Sequence, residues 1–173
     1  MNIFVVHTNP ELAARQLCNK HVVKMTLETA QMLCSAVHVL SEDGKLDIDP
    51  ADIPYRKAYV NHPCTVWARQ SLFNYHWLLI HGLSLASEYT HRYGKVHKSQ
   101  AVIDWAMGID VDVAFDNYDA TPFAQAMPDK YKRDNAVDAY RAYYMGEKAR
   151  FAVWSKREPP KWWHEHMNTL EVA

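Results

Sequence analysis

From residue 10 to about residue 40 the apolar side chains recur every three or four positions, the period of an amphipathic helix. No other feature constrains the fold as strongly. On a helix that advances about 100° per residue, Lys20, Lys24, Glu28 and Gln31 fall on one narrow stripe. Leu27, Val23 and Cys34 flank it on one side, and Met25, Val22 and Ala36 on the other. Two lysines and a carboxylate bordered by apolar residues are out of place on a solvated face. The stripe is therefore expected to line a cleft.

A second apolar-periodic run follows from about residue 64 to 93. His62-Pro63-Cys64 opens it and Gly94 stops it, since proline suits a first helical turn and glycine a helix C-cap. Shorter helices are predicted over 100–107, capped by Ser99, and from 135 to about 154, capped by Asp134. Thr121-Pro122-Phe123-Ala124-Gln125-Ala126-Met127-Pro128 reads as a Pro-bounded turn of helix. Residues 2–6 form a short apolar arm or strand, too short for a sheet of its own, and are expected to pack across the helices. Residues 41–54 read as a polar, acidic surface loop, either a lid or an insertion. With 173 residues, 49% apolar, and only 5 glycines, the expected fold is mainly α: a compact single-domain helical fold with a short N-terminal extended arm. The C-terminal tail from about residue 160 is expected to be partly mobile.

Several classes are disfavoured. No run of about 18 apolar residues suggests a membrane span. The N-terminus lacks the basic region and small-residue cleavage site of a secretory signal. Cys18, Cys34 and Cys64 are an odd set, which points to a reducing, cytoplasmic setting rather than a disulfide framework. A net charge of −1 weighs against a strongly electrostatic, sequence-blind nucleic-acid binder but leaves room for a local basic groove.

The second long run carries its own polar stripe. Asn74, His81 and Glu88 are spaced by seven, with Trp67, Trp77 and Arg92 near it. Set against the first stripe, it would give one cleft a histidine, two carboxylates, two lysines and an amide. Such a set suits general acid–base work or a lysine nucleophile. A lysine between apolar walls loses its proton more readily, and the neutral amine can attack a carbon such as a sugar C1′. A nearby glutamate can stabilise the developing positive charge. The same residues would equally serve as an ion-pair network tying two helices together. Tyr89, Arg92, Tyr93, Lys95, His97 and Lys98 form a basic, aromatic helix end, suited to phosphates and stacked bases or simply to the helix dipole.

Metal chemistry is weakly signalled. Cys18-x-x-His21 with His62-x-Cys64 has a tighter second spacing than usual zinc knuckles. Asp110, Asp112, Asp116 and Asp119 lack the calcium-loop pattern. No metal or other cofactor is assigned. Gly-rich phosphate loops, GxSxG and HExxH are absent from the sequence.

The segments Lys20-His21-Val22-Val23-Lys24-Met25, Asn61-His62-Pro63-Cys64-Thr65-Val66-Trp67-Ala68-Arg69, Tyr93-Gly94-Lys95-Val96-His97-Lys98, Thr121-Pro122-Phe123-Ala124 and Ala139-Tyr140-Arg141-Ala142-Tyr143-Tyr144 resemble a family of small bacteriophage-encoded proteins. That resemblance implies a phage origin and the host cell cytoplasm. A second resemblance rests on the arm, Glu11-Leu12-Ala13 opening the first helix, and a C-terminal Pro-Lys-Trp-Trp. In these the chain is similar to the phage pyrimidine-dimer DNA glycosylases of the endonuclease V type. The likeness implies a compact all-α enzyme that attacks a sugar C1′ with an amine and uses an active-site glutamate. Counting from Glu11-Leu12-Ala13, the position of that glutamate holds Val23. Bulky Asn2 is expected to leave Met1 in place, so the amine is expected to be Lys20 or Lys24 and the carboxylate Glu28.

The function expected is a DNA glycosylase/lyase-like enzyme of base-excision or base-modification type, acting in a cleft between the two long helices. The expected catalytic residues are Glu28, Lys24, Lys20, His81 and Glu88. Those expected to bind DNA are His21, Asn74, Trp67, Trp77, Arg69, Arg92, Lys95, His97 and Lys98. Two alternatives stay open: a nucleotide or small-molecule transfer enzyme, and a non-enzymatic phage protein that binds a host factor. Oligomeric state is not legible.

Overall fold

The computed structural model describes residues 1–171. Among the described residues there are seven α-helices: α1 (Pro10–Gln16), α2 (Asn19–Glu42), α3 (Pro63–Ala68), α4 (Leu72–Tyr93), α5 (Gln100–Met107), α6 (Ala136–Lys148) and α7 (Lys161–Glu171). No strand is present among the described residues. No helix among them is long and apolar enough to cross a membrane.

The helix expected over 10–40 is two helices. Asn9 caps the first, its side chain accepting the Leu12 N–H at 2.9 Å with Pro10 in the first turn. The chain then runs extended through Leu17 and Cys18 before α2 begins. Distant groups hold this break. The Arg92 guanidinium donates to the carbonyls of Leu17 (2.9 Å) and Arg15 (3.0 Å), supplying partners that the end of α1 lacks. The Cys18 N–H donates to Tyr144 Oη at 2.8 Å. The second run also divides, into α3, capped by His62, and α4, capped by Ser71. Gly94 ends α4 with φ +68°, a left-handed conformation in which it carries no Cβ penalty.

α2 and α4 pack against each other at the centre. A Cβ on Gly82 of α4 would lie 2.7 Å from Thr29 Cγ2 of α2, so the helices meet there without room for a cleft. The arm has no regular secondary structure, and Ile3, Phe4, Val5 and Val6 are buried in the core. Its ends are tied by Asn2 Nδ2, which donates to the Ala126 carbonyl at 2.7 Å, and by Arg141 Nε, which donates to the Val6 carbonyl at 3.0 Å.

Elsewhere the chain departs from periodicity. Residues 121–128 are irregular rather than a turn of helix. Asn135, not Asp134, caps α6, and α6 gives way to a 3-10 turn at Ala149–Phe151. The segment expected to be partly mobile begins with α7. There Trp163 is buried and its ring centroid lies 5.0 Å from that of Trp154. In the 41–54 loop, Leu46 and Ile53 join the core.

Candidate active site

The α2 stripe faces the arm. Glu28 is buried, and its Oε2 accepts the Asn2 backbone N–H at 2.8 Å. The α-amine of Met1 lies 3.9 Å from the same oxygen. One turn earlier, Lys24 Nζ lies 3.5 Å from Oε1. Two primary amines thus converge on one carboxylate, at the edge of a cavity of about 340 Å³. Lys20 lines it as well, its Nζ 5.0 Å from the Phe151 ring centroid.

His21 forms part of the same wall. Its ring stacks on Phe4 at 4.2 Å and 26° and meets Tyr144 and Phe151 edge-on. Burial, then the charges of Lys148 and Lys24, push its pKa down to about 3, so the imidazole is neutral near pH 7. Its enclosed Nδ1 has no hydrogen-bond partner. Phe4, which carries this stack, has φ +55°, uncommon for a bulky residue and a mark of local strain. Lys148 and Tyr143 close the cavity from α6.

Of the residues expected to act, the structure brings together Lys20, His21, Lys24 and Glu28. The α4 stripe does not join them, because it points into the fold. Glu88 is clamped by Arg92 Nε (2.8 Å) and by Arg157 Nε and Nη2 (2.9 and 3.0 Å). Burial pushes its carboxyl upward, but the hydrogen bonds from Arg157 and Arg92 prevail and hold it below its ordinary value. Arg92 is occupied by that pair and by the α1 carbonyls. His81 is fully buried, its Nδ1 3.0 Å from the Pro10 carbonyl and its ring stacked on Trp77 at 5.0 Å. Burial lowers its pKa to about 4.

Asn74 serves the loop instead. It donates to the Trp67 carbonyl at 2.9 Å and to Thr121 Oγ1 at 2.6 Å, and accepts the Thr121 N–H at 3.2 Å. Trp67 and Trp77 are buried against each other and Phe123. Arg69 Nη1 donates to the carbonyls of Val60 and Thr65. Lys95, His97 and Lys98 line a separate groove with Val23, Leu27 and Tyr89, which touches the first cavity only through Lys24. The cleft expected between the two long helices is therefore replaced by a cavity under the arm.

Among the described residues no three His, Cys, Asp or Glu side chains are placed to hold a metal ion. His62 Nδ1 accepts the Cys64 N–H as a helix cap, and Cys18 and Cys64 are buried.

The lining residues that the pattern did not offer are Met1, Asn2, Phe4, Met25, Tyr143 and Phe151, and of these only Met1 had a signal, in the amine that the glycosylase resemblance implies. Lys148 belongs to the basic set Arg141, Lys148, Arg150, Lys156 and Arg157, which from sequence could extend the basic helix end or be ordinary solvated surface.

Comparison with curated proteins and with solved structures returned no significant match. A family model, pyrimidine dimer DNA glycosylase, matches residues 1–101, the part of the chain that contains the arm, α2 and the Glu28 carboxylate with its two amines. The chain belongs to the pyrimidine dimer DNA glycosylase family.

Proposed function

We propose that the protein excises damaged pyrimidines from DNA, with Glu28 and the α-amine of Met1 as its reacting pair. The observation that carries this is the convergence of that amine on a buried carboxylate, 3.9 Å from Oε2, inside a cavity large enough for a flipped nucleoside. Lys24 also reaches Glu28, but its side chain is 68% exposed against 1% for Met1.

The amine lone pair forms a bond to C1′ as the N-glycosidic bond breaks, and the base leaves with that electron pair and takes up a proton. The nitrogen loses a proton, the C1′–O4′ bond opens with protonation of O4′, and an imine links sugar and protein. Glu28 stabilises the positive charge that develops at C1′ and receives the proton from nitrogen. Lys24 faces the carboxylate's other oxygen at 3.5 Å. If Met1 is removed in the cell, the nitrogen of Asn2, already 2.8 Å from Oε2, takes the same part.

The test is borohydride reduction during incubation with duplex DNA carrying a pyrimidine dimer or another damaged pyrimidine, with peptide mapping of the trapped adduct. The adduct is expected on the first residue of the chain. Mapping to Lys24 or Lys20 would overturn the choice of amine and leave excision intact. Neither adduct nor abasic product on any of these duplexes would overturn excision.

A further inference from the structure

The family model ends at residue 101, yet Tyr143, Lys148 and Phe151 line the cavity that holds Glu28. The region beyond the matched segment therefore shapes the site. Lys148 is its charged member. The side chain is half-buried, its Nζ donates to Tyr143 Oη at 3.1 Å, and the ammonium lies 4.5 Å from the Tyr143 ring centroid and 5.9 Å from that of Phe4. Phe4 in turn is stacked between His21 and Tyr143, at interplanar angles of 26° and 10°. The ring pile gives Lys148 a fixed seat.

The charges of the cavity do not balance. Lys20, Lys24 and Lys148 line it, and Glu28 is the only carboxylate among the lining residues. Glu28 already faces Lys24 and the Met1 amine, which leaves Lys20 and Lys148 without a counter-charge from the cavity. His21 forms part of the wall and is 5% exposed. The field of Lys148 is one reason that this imidazole stays neutral. Ammonium groups on a cavity wall without a counter-charge call for an anion. For a DNA-acting chain that anion is a backbone phosphate, and a lysine is a suitable point-charge partner.

We infer that Lys148 contacts substrate, holding a phosphate of the lesion strand at the cavity beside Lys20, so that the region beyond residue 101 completes the DNA site. This rests on the excision reading for the identity of the strand, but not for the binding of phosphate.

The experiment uses the full chain and a duplex containing a tetrahydrofuran abasic-site analogue. Lysine acylation of the wild-type protein, with and without this duplex, is read by mass spectrometry. Lys148 is expected to be protected, and Lys57, paired with Glu42 on the surface, is expected to be acylated equally in both. In binding titrations, Lys148→Met is expected to lower the slope of log Kd against log salt by about one, the signature of one lost phosphate contact, and Lys148→Arg to preserve it. Equal acylation of Lys148 in both samples would overturn the proposal, as would an unchanged slope in Lys148→Met. Should Lys148→Met fail to fold, the footprint of the wild-type chain and the slope of Lys148→Arg decide. Protection of Lys148 in a protein that excises nothing upholds the phosphate site and removes the excision reading; excision with Lys148 unprotected does the reverse.

Discussion

Glu28 Oε2 lies 3.9 Å from the α-amino nitrogen of Met1 while accepting the backbone N–H of Asn2 at 2.8 Å. The same oxygen therefore seats the arm and faces the amine. The arm therefore cannot shift without moving the amine away from Glu28.

Glu28→Gln separates the two roles. The amide oxygen can still accept the Asn2 N–H, so the fold is expected to hold, with a loss within about 1 kcal/mol. The lost charge removes the stabilising carboxylate, and single-turnover excision is expected to fall by at least about 10²-fold. Denaturant melts and single-turnover rates on one preparation check both halves. An unchanged rate in a folded variant would remove Glu28 from the chemistry.

Acid should weaken the fold. His21 and His81 have pKa values of about 3 and about 4, against an ordinary 6.5. Between these limits the unfolded chain binds protons that the folded chain refuses, so stability rises with pH up to about 6.5 and then levels. Each histidine contributes up to about 1.4 kcal/mol per pH unit within its window. Glu88, held low, adds its own loss only as pH falls through the carboxylate range. Urea titrations at intervals from pH 4.5 to 7.5 should show this decline, and His81→Gln should flatten it. A wild-type stability that is level across that range contradicts the assignment.

Arg92→Met should cost about 3–5 kcal/mol, the usual result of stripping one partner from a buried pair. It also orphans the carbonyls of Arg15 and Leu17. Arg157, 30% exposed against 0% for Arg92, should cost less when changed to Ala. Glu88→Gln should likewise lose stability yet keep kcat per folded molecule. A selective loss of kcat in stable Glu88→Gln would return Glu88 to the active site.

Gly82→Ala places a Cβ 2.7 Å from Thr29 Cγ2 and 3.3 Å from Ile103 Cδ1. Overpacking of this kind costs about 1–3 kcal/mol. Thr29→Ser removes the clashing methyl, so the double variant should recover part of the loss. A double-mutant cycle from thermal melts reads the coupling, and strict additivity would place the contact elsewhere.

Much of the architecture is local and therefore legible. The helical class and the Gly94 stop follow from side chains acting within a turn of their own backbone. So does the alignment of Lys20, Lys24 and Glu28, since helix geometry alone puts them on one face. The break at Leu17 and Cys18 was not legible. Periodicity runs straight through it, and the group that holds it, Arg92, stands 75 residues away. The α4 stripe misled for the same reason. Asn74, His81 and Glu88 share a face, but Arg157, 69 residues from Glu88, turns that face into an internal clamp.

The sequence by itself thus determined an α-helical chain and the lysine–glutamate stripe on α2, because propensity, capping and helical period act over a few residues. Only the tertiary structure decided what the stripe faces. The buried arm brings Met1 to Glu28, α6 brings Lys148 and Tyr143 to the same cavity, and close packing at Gly82 denies α4 a share in it. Those choices depend on contacts between distant segments, where shape and desolvation select the partner and no local pattern records it.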